Sequence, residues 1–190
     1  MEEKRLFDIL KLYIAQYPNQ DVALARKEKN KWVKYSIQEY VETTNYLSYA
    51  FIKLGIQKND KVGIICSNRP EWNMLDMAIM QVGAITVPIY PTISKEDYKY
   101  IVNDCGIKLI VLEGSAVLQK IESIKSEAAN LEAIYSISTK CDYPTFEELV
   151  NLGKENQNPE ELKQREDSID ERECATIIYT SGTTGNPKGV

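Results

Sequence analysis

Histidine is absent from the 190 residues of this sequence. A Ser-His-Asp or Cys-His catalytic apparatus therefore cannot be built from this chain, and metal sites with imidazole ligands are excluded. Cysteine is scarce, and its four copies form no C-x-x-C pair: Cys66, Cys105, Cys141 and Cys174. This spacing excludes the usual cysteine metal-binding motifs. It predicts free, mostly buried thiols in a reducing compartment.

Long apolar runs and an excess of basic residues are also lacking. No run of eighteen apolar residues occurs, so no transmembrane segment is expected. Residues 1–5 lack the apolar core of a signal peptide. With 23 basic and 28 acidic residues the formal charge is −5, and no basic cluster contains interleaved aromatics, so nucleic acid is not an expected partner. The composition, 43% hydrophobic and 27% charged, predicts a cytoplasmic globular domain.

Strand-like apolar runs alternate with segments of helical periodicity through most of the chain. The predicted strands are nearly continuous apolar runs at residues 61–66, 84–89, 107–112, 131–137 and 175–179. Capping boxes predict helices that begin after Ser36, Ser94 and Thr145, the last of them ending near Gly153. This alternation predicts an α/β fold in which helices cover a mostly parallel sheet.

Two segments depart from the alternation. Near the N-terminus, residues 22–25 and 32–35 flank a polar run and predict an antiparallel β-hairpin after an opening helix. Residues 154–173 hold eight acidic and four basic residues, which predicts a solvated linker with one short helix after Pro159. The predicted organisation is therefore an α/β subdomain at residues 1–153, a charged linker at 154–173, and a final strand with its loop at 174–190.

The final strand leads into a loop rich in glycine and hydroxyl groups, TSGTTGNPKG at residues 180–189. Glycine lets the backbone turn and approach a ligand closely, and successive backbone N–H groups in such a turn form an anion nest. Hydroxyls that can donate to anionic oxygens belong to Thr180, Ser181, Thr183 and Thr184. Lys188 adds a cation on a flexible stem. The pattern predicts a loop that cradles phosphate.

The nucleoside-triphosphatase pattern G-x-x-x-x-G-K-[ST] is an alternative for this loop. Counting from Gly182, Pro187 occupies the place of the second glycine, and Gly189 follows Lys188. Proline lacks the backbone donor, and Gly189 lacks the hydroxyl that would hold Mg²⁺. A P-loop nucleotide hydrolase is therefore disfavoured, although rapid hydrolysis of ATP or GTP without a carboxylate would support it.

From Tyr179 to Val190 the sequence resembles the phosphate-binding loop of adenylate-forming enzymes: acyl-CoA synthetases, luciferases and peptide-synthetase adenylation domains. Residues 68–72 (NRPEW) and 87–92 (VPIYPT) are similar to the N-terminal region of AMP-forming long-chain fatty acid–CoA ligases, on which residues 5–190 can be laid. The resemblance implies that this chain forms part of the large N-terminal domain of the adenylate-forming fold. Trp72 and Tyr90 are interpreted as core aromatics rather than walls of an acyl tunnel.

Members of that family use ATP to convert a carboxylate into an acyl-adenylate and pyrophosphate, and then transfer the acyl group to the thiol of coenzyme A. The resemblance implies a fatty acid, ATP and coenzyme A as substrates, with Mg²⁺ held mainly by phosphate oxygens and no metal ligand in this chain. By resemblance the loop wraps the β- and γ-phosphates with Thr180, Ser181, Gly182, Thr183, Thr184 and Gly185. Lys188 would neutralise the departing pyrophosphate, which makes it the candidate catalytic residue.

The family's adenine, ribose and coenzyme A motifs are expected beyond Val190. The resemblance therefore implies an N-terminal fragment that is inactive alone, and its exposed sheet edge and apolar surface favour self-association. Two further interpretations stay open: an adenylate-forming sibling with an aryl, amino or short acyl substrate, and a non-catalytic module that keeps the fold. Peripheral contact with a membrane also stays open, although no amphipathic basic helix indicates it.

Overall fold

The computed structural model describes residues 5–137, 141–180 and 185–190. The secondary-structure elements, in chain order, are α1 (Ile9–Gln16), β1 (Leu24–Glu28), β2 (Lys31–Tyr35), α2 (Ile37–Lys53), β3 (Lys61–Ile65), α3 (Pro70–Gln81), β4 (Ile85–Pro88), α4 (Lys95–Cys105), β5 (Ile107–Glu113), α5 (Ser115–Ile124), β6 (Ala133–Ile137), α6 (Phe146–Glu155), α7 (Pro159–Asp167), β7 (Tyr179–Thr180) and β8 (Lys188–Gly189). Single turns of 3₁₀ helix at Leu6–Asp8 and Lys125–Glu127 precede α1 and follow α5.

These elements form two compact units, each built from separate stretches of the chain. The helical unit comprises the described residues of Met1–Gln57, Asn68–Gly83 and Val150–Glu173. The sheet unit comprises those of Lys58–Ser67, Ala84–Leu149 and Cys174–Val190. The sequence-based division into 1–153, 154–173 and 174–190 follows the order of the chain and stays a prediction.

A parallel four-stranded sheet with the order β4-β3-β5-β6 forms the centre of the sheet unit. Its strands are buried at almost every position, as continuous apolar runs require. Side chains of α4 and α5, including the fully buried Tyr98 and Ile121, share one hydrophobic cluster with Val87, Ile110 and Ile134 of the sheet. The predicted α/β fold with a parallel sheet and helices against it is confirmed.

Capping residues begin the helices where the sequence predicts. The Ser94 hydroxyl accepts a hydrogen bond from the Asp97 amide at 3.0 Å, and Ser36 does the same for Glu39 at 3.1 Å. These contacts satisfy amide donors that the first helical turn leaves unpaired. Gly106 ends α4 in the left-handed conformation at φ 66°, which a residue with a Cβ adopts at a cost. Local sequence therefore defines both ends of α4.

The predicted N-terminal hairpin is present in the helical unit, but its strands extend further towards the turn than predicted, and the first begins at Leu24 instead of Val22. Strands β1 and β2 pair from Leu24–Tyr35 to Glu28–Lys31, so most of the polar run belongs to the strands. Only Lys29 and Asn30 form the turn, both with positive φ, 44° and 66°, as a two-residue hairpin turn of the favoured twist requires. These strand residues are not recognisable in the sequence, because side chains on both faces of this part of the hairpin are largely exposed and show no apolar alternation.

Two helices carry the chain through its acidic segment. The helix predicted after Pro159 is confirmed as α7, but the segment is not wholly solvated. Leu162 is buried, and the buried carboxylate of Glu166 accepts a hydrogen bond from Lys11 at 2.7 Å. Helix α6 continues two residues past Gly153, the residue predicted to end it. That glycine serves a close approach instead, since a Cβ on it would lie 1.7 Å from the backbone oxygen of Tyr46 in α2.

Two predictions about single side chains are wrong. None of the four cysteines forms a disulfide, but only Cys105 is buried, and Cys174 is exposed. Tyr90, interpreted as a core aromatic, is 71% exposed. Both errors have the same cause, because residue type and local pattern do not determine which residues the folded chain leaves uncovered. Within the described residues no helix is long and apolar enough to cross a membrane.

Candidate functional site

The chain reaches the predicted phosphate-binding loop along the edge of the sheet. Beside β4, the amide of Thr86 donates to the Ala175 carbonyl at 3.1 Å, and the amide of Ile177 donates to the Thr86 carbonyl at 3.0 Å. Thr86 and Thr176 form a parallel bridge at this point. The strand predicted at 175–179 is therefore only partly present, because the chain forms a single bridge to β4 at Thr176 before it diverges from the sheet.

Past the sheet, the chain folds into a short antiparallel ladder, which we call the stem. Tyr179 pairs with Gly189 and Thr180 with Lys188. One step further out, Ile178 and Val190 exchange both backbone hydrogen bonds, at 2.9 and 3.0 Å. The stem closes the loop of residues 181–187 at its base. Since directly opposite residues of an antiparallel pair share a face, the exposed side chains of Thr180 and Lys188 lie on the same face of the stem.

A glycine at position 189 lets the stem close. A Cβ on Gly189 would lie 2.9 Å from Cγ2 of Ile177 and 3.3 Å from Cζ of the Tyr179 ring. The tyrosine ring thus covers the space that a side chain on the opposite strand would need. Such pairing of an aromatic residue with a glycine helps to hold register in antiparallel ladders, and here it aligns Lys188 with Thr180.

The structure describes three of the seven predicted site residues. Thr180 and Lys188 are paired in the stem, and Gly185 lies within the loop at φ 86°, a conformation that glycine adopts without steric cost. The other four, Ser181, Gly182, Thr183 and Thr184, lie outside the described residues. Their assignment to phosphate binding stays a prediction, as does the neutralising role of Lys188.

The donor set of residues 174–190 suits an anion rather than a metal ion. The segment contains no aspartate or glutamate, one lysine, and five threonine or serine hydroxyls. A phosphate here would meet hydrogen-bond donors and a cation with no carboxylate of this segment to repel it. Mg²⁺ prefers carboxylate and phosphate oxygens, so Mg²⁺ at this loop would depend on ligands from ATP. Among the described residues, no group of three or more His, Cys, Asp or Glu side chains is arranged to hold a metal ion.

One side chain of the stem is held by a helix. The hydroxyl of Tyr179 donates to Oδ2 of Asp104, near the end of α4, at 2.6 Å, a short bond of the charge-assisted kind. Burial raises the pKa of Tyr179, and its hydrogen bond to the Asp104 carboxylate raises that pKa further. Tyr179 is therefore a protonated donor throughout the physiological pH range.

Sequence reasoning missed Asp104. A signal was present, because an acidic residue in the last turn of a helix opposes the helix dipole, and no basic residue accompanies it in the last turn of α4. Such a residue indicates that something beyond the helix interacts with it. Its partner, however, follows 75 positions later, and no local pattern connects the two.

Beside the stem lies an apolar cleft of about 410 Å³ in the sheet unit. Its walls come from the chain after β4, from α4 and from the stem, and include Pro88, Ile89, Tyr90, Ile93, Ile178 and Pro187. The exposed ring of Tyr90 stands at this cleft.

Comparisons with known proteins agree with the resemblance. The family described as AMP-binding enzyme matches residues 11–190. A long-chain-fatty-acid–CoA ligase (ACSBG2) of Xenopus laevis is 38% identical over 174 residues, which cover 89% of this chain and 23% of that protein. A second ligase of that name (ACSBG1), from Rattus norvegicus, is 36% identical over 174 residues, which cover 88% of this chain and 24% of the ligase. The chain spans about a quarter of the length of these relatives.

Solved structures share the fold at lower sequence identity. A luciferase-like enzyme from the mealworm Zophobas morio superimposes with a TM-score of 0.80 at 18% identity, over 100% of this chain and 42% of that one. A long-chain-fatty-acid–CoA ligase from Archaeoglobus fulgidus gives a TM-score of 0.78 at 20% identity, over 99% and 36% of the two chains. The fold, the acid-free loop and the family match across residues 11–190 agree, and this chain belongs to the family of AMP-binding enzymes.

Proposed function

We propose that this chain supplies the phosphate-binding part of an AMP-forming ligase that joins a long-chain fatty acid to coenzyme A. The observation that carries the proposal is the closed stem, which pairs Thr180 with Lys188 at the base of a loop without acidic residues. The names of the curated relatives support the substrate class. Because the chain spans about a quarter of their length, the complete reaction requires further polypeptide.

The task of this loop follows from electrostatics. A fatty acid carboxylate must approach the α-phosphate of ATP, so two anions have to be brought together. Donors fixed before the reaction offset this repulsion without having to reorganise during it. In the proposal, the hydroxyls and amides of residues 180–185 hold the β- and γ-phosphates. They thereby keep charge away from the path of the incoming carboxylate and orient the α-phosphate towards it.

Lys188 acts on the leaving group. When the carboxylate oxygen bonds to the α-phosphorus, the bond from that phosphorus to pyrophosphate breaks, and negative charge grows on the pyrophosphate. The ammonium of Lys188 stabilises that charge from the stem, on the face it shares with Thr180. Mg²⁺ bound to ATP would supply further charge neutralisation through phosphate oxygens. Residues 174–190 contain no aspartate or glutamate, so any carboxylate ligand of this Mg²⁺ would come from elsewhere.

The alternative substrate is a carboxylate other than a fatty acid, and the fold alone does not distinguish a ligase for one from a ligase for the other. One solved structure with this fold is an anthranilate–CoA ligase in complex with anthranoyl-AMP, at a TM-score of 0.73 and 23% identity. Greater identity to ligases named for long-chain fatty acids favours the fatty acid. The experiment therefore has to distinguish a fatty acid ligase from an adenylate-forming sibling that acts on an aryl carboxylate.

Product analysis of the full-length ligase containing this chain tests the proposal. The purified enzyme is given ATP, Mg²⁺ and coenzyme A together with a sixteen-carbon fatty acid, an aryl carboxylate or no carboxylate. We expect AMP and pyrophosphate in equal amounts, formed only with the fatty acid, and we expect no acyl-adenylate from the 190-residue chain alone. Preference for the aryl acid would identify the sibling. ADP and phosphate formed without carboxylate would indicate a nucleotide hydrolase, and nucleotide binding without turnover would indicate a non-catalytic module.

A further inference from the structure

We infer that Asp104 is a positioning residue for the phosphate-binding loop, acting through the hydroxyl of Tyr179. Its effect on ATP rests on the proposed function, whereas its effect on the stem does not. Asp104 lies on α4, near the carboxyl end of the helix, and is not part of the loop itself. Its influence on the loop depends on how the stem is attached to the sheet unit.

The strand that enters the stem is attached to the sheet unit at two points. At the first, residues 175–177 are hydrogen-bonded to Thr86 of the edge strand β4. After Ile177 the chain leaves that strand. At the second, the Tyr179 hydroxyl reaches Asp104 at 2.6 Å, while the tyrosine ring packs against the hydrophobic cluster of the sheet unit. The bond to Asp104 therefore fixes the stem just where the support of the sheet ends.

Asp104 lies in an unfavourable position for its own helix. A carboxylate in the last turn faces the negative end of the helix dipole, which destabilises the helix. The charge-assisted hydrogen bond from Tyr179 offsets that cost. Helix stability does not explain why a carboxylate lies at this position, whereas its hydrogen bond to the stem does.

The position of Tyr179 determines that of Lys188. Tyr179 pairs with Gly189, and its ring lies close to that glycine. Thr180 and Lys188 form the next pair. If the Tyr179 hydroxyl loses its bond to Asp104, the stem can fray, including at the Ile178–Val190 pair, and the ammonium of Lys188 moves with it. The consequence for a ligase is weaker attraction of the phosphates, which appears as a higher KM for ATP.

Three variants with a matched control test this inference. Tyr179→Phe removes the donor and keeps the ring, Asp104→Ala removes the acceptor, and Asp104→Asn keeps an acceptor oxygen without the charge. The control is Tyr100→Phe, because the hydroxyl of Tyr100 contacts the other oxygen of the same carboxylate at 3.4 Å but belongs to α4 itself. The control therefore removes a tyrosine hydroxyl from Asp104 without touching the stem.

Hydrogen exchange in the 190-residue chain gives the first result. The amides of Ile178 and Val190, bonded across the stem, should exchange about tenfold faster in Tyr179→Phe and Asp104→Ala, as expected for the loss of a bond to a charged group. Asp104→Asn should accelerate them only about twofold to threefold. Amides of β5 serve as the internal reference and should not change. Exchange at wild-type rates in Tyr179→Phe, or equal acceleration in Tyr100→Phe, would overturn the inference.

Kinetics of the full-length ligase give the second result. We expect KM for ATP to rise about fivefold to tenfold in Tyr179→Phe and Asp104→Ala, with kcat within about twofold, and Asp104→Asn to restore most of the affinity. A merely structural role would lower the amount of active enzyme and leave KM unchanged, which would contradict positioning. If the wild-type enzyme consumed no ATP, the proposed function would fail, while hydrogen exchange would still decide the attachment of the stem.

Discussion

Replacing Gly153 by alanine sets two physical effects of opposite sign against each other. Gly153 lies inside α6, where alanine is favoured over glycine by about 1 kcal/mol. Helix propensity alone therefore predicts that Gly153→Ala stabilises the protein. In the folded chain, however, the new Cβ would lie 1.7 Å from the backbone oxygen and 2.5 Å from the backbone carbon of Tyr46. Both atoms belong to the backbone of α2, so no side-chain rotation relieves the clash.

The size of the required movement determines which effect wins. A carbon and a carbonyl oxygen approach one another to about 3.3 Å at the closest, so α6 and α2 must separate by roughly 1.5 Å at this point. Helix α2 cannot follow freely, since its Leu47, Ala50 and Phe51 are fully buried. Overpacking costs about 1–3 kcal/mol in ordinary cores, and more where backbone must move. We take a cost of about 3–4 kcal/mol, which leaves a net destabilisation of about 2–3 kcal/mol.

Thermal and urea unfolding of the 190-residue chain measure this difference. For a chain of this size, about 1 kcal/mol corresponds to roughly 2–4 °C, so Tm should fall by about 5–10 °C. Asn151→Ala is the matched control, because Asn151 is exposed in the same helix and its replacement should change stability by less than about 0.5 kcal/mol. A Gly153→Ala protein with an unchanged or higher Tm would refute the close approach of the two helices.

Two further substitutions test the charge cluster of the helical unit and the stem. Burial alone would raise the pKa of Glu71, but hydrogen bonds from Arg69 at 2.9 Å and the charges of Arg69 and Arg26 lower it below its ordinary value. Glu71→Gln should therefore destabilise the protein by about 3 kcal/mol at pH 7. Because the arginines stabilise only the ionised form of Glu71, the difference in the free energy of unfolding between the wild type and Glu71→Gln should shrink as pH falls below about 4. Urea titrations measure this difference. A difference that stays constant down to pH 2 would contradict the ion pair. Gly189→Ala should destabilise the stem by about 1–3 kcal/mol and accelerate hydrogen exchange of the Ile178 amide. The control is Val190→Ala, at a residue that is 80% exposed, which should leave that exchange rate unchanged. Equal exchange rates of the Ile178 amide in both variants would exclude the close packing of Gly189.

The sequence predicts the features of this fold that depend on neighbouring residues. Apolar runs and capping boxes identify the sheet strands and the starts of α2 and α4, because strand burial and helix capping are decided within a few positions. The assignment of residues 180–189 to phosphate binding rests on the same kind of local signal, the spacing of glycine, hydroxyl and lysine residues, and it stays a prediction. The class of the fold follows from the alternation of these segments.

Features that depend on distant partners could not be predicted. The local pattern places Gly153 at the end of a helix, which is the ordinary role of such a glycine, but its neighbour is the backbone of α2. The pattern places Asp104 only near the end of a helix, and the tyrosine that it binds is remote in sequence. Tyr90 carries an apolar ring yet stays exposed beside the cleft. In each case the deciding contact comes from tertiary structure, which local periodicity does not contain.

The central claim is that residues 180–188 grip the pyrophosphate half of ATP and that Lys188 neutralises its charge. The most direct test compares Lys188→Ala with Lys31→Ala in the full-length ligase, because Lys31 is an exposed lysine of the N-terminal hairpin and its loss changes the net charge equally. The measurement is the rate of fatty-acid-dependent pyrophosphate formation as a function of ATP concentration. We predict that kcat/KM for ATP falls about 100-fold in Lys188→Ala, as for the loss of a group that stabilises transition-state charge, and stays unchanged in Lys31→Ala. Equal kcat/KM in Lys188→Ala and the wild-type enzyme would contradict the claim.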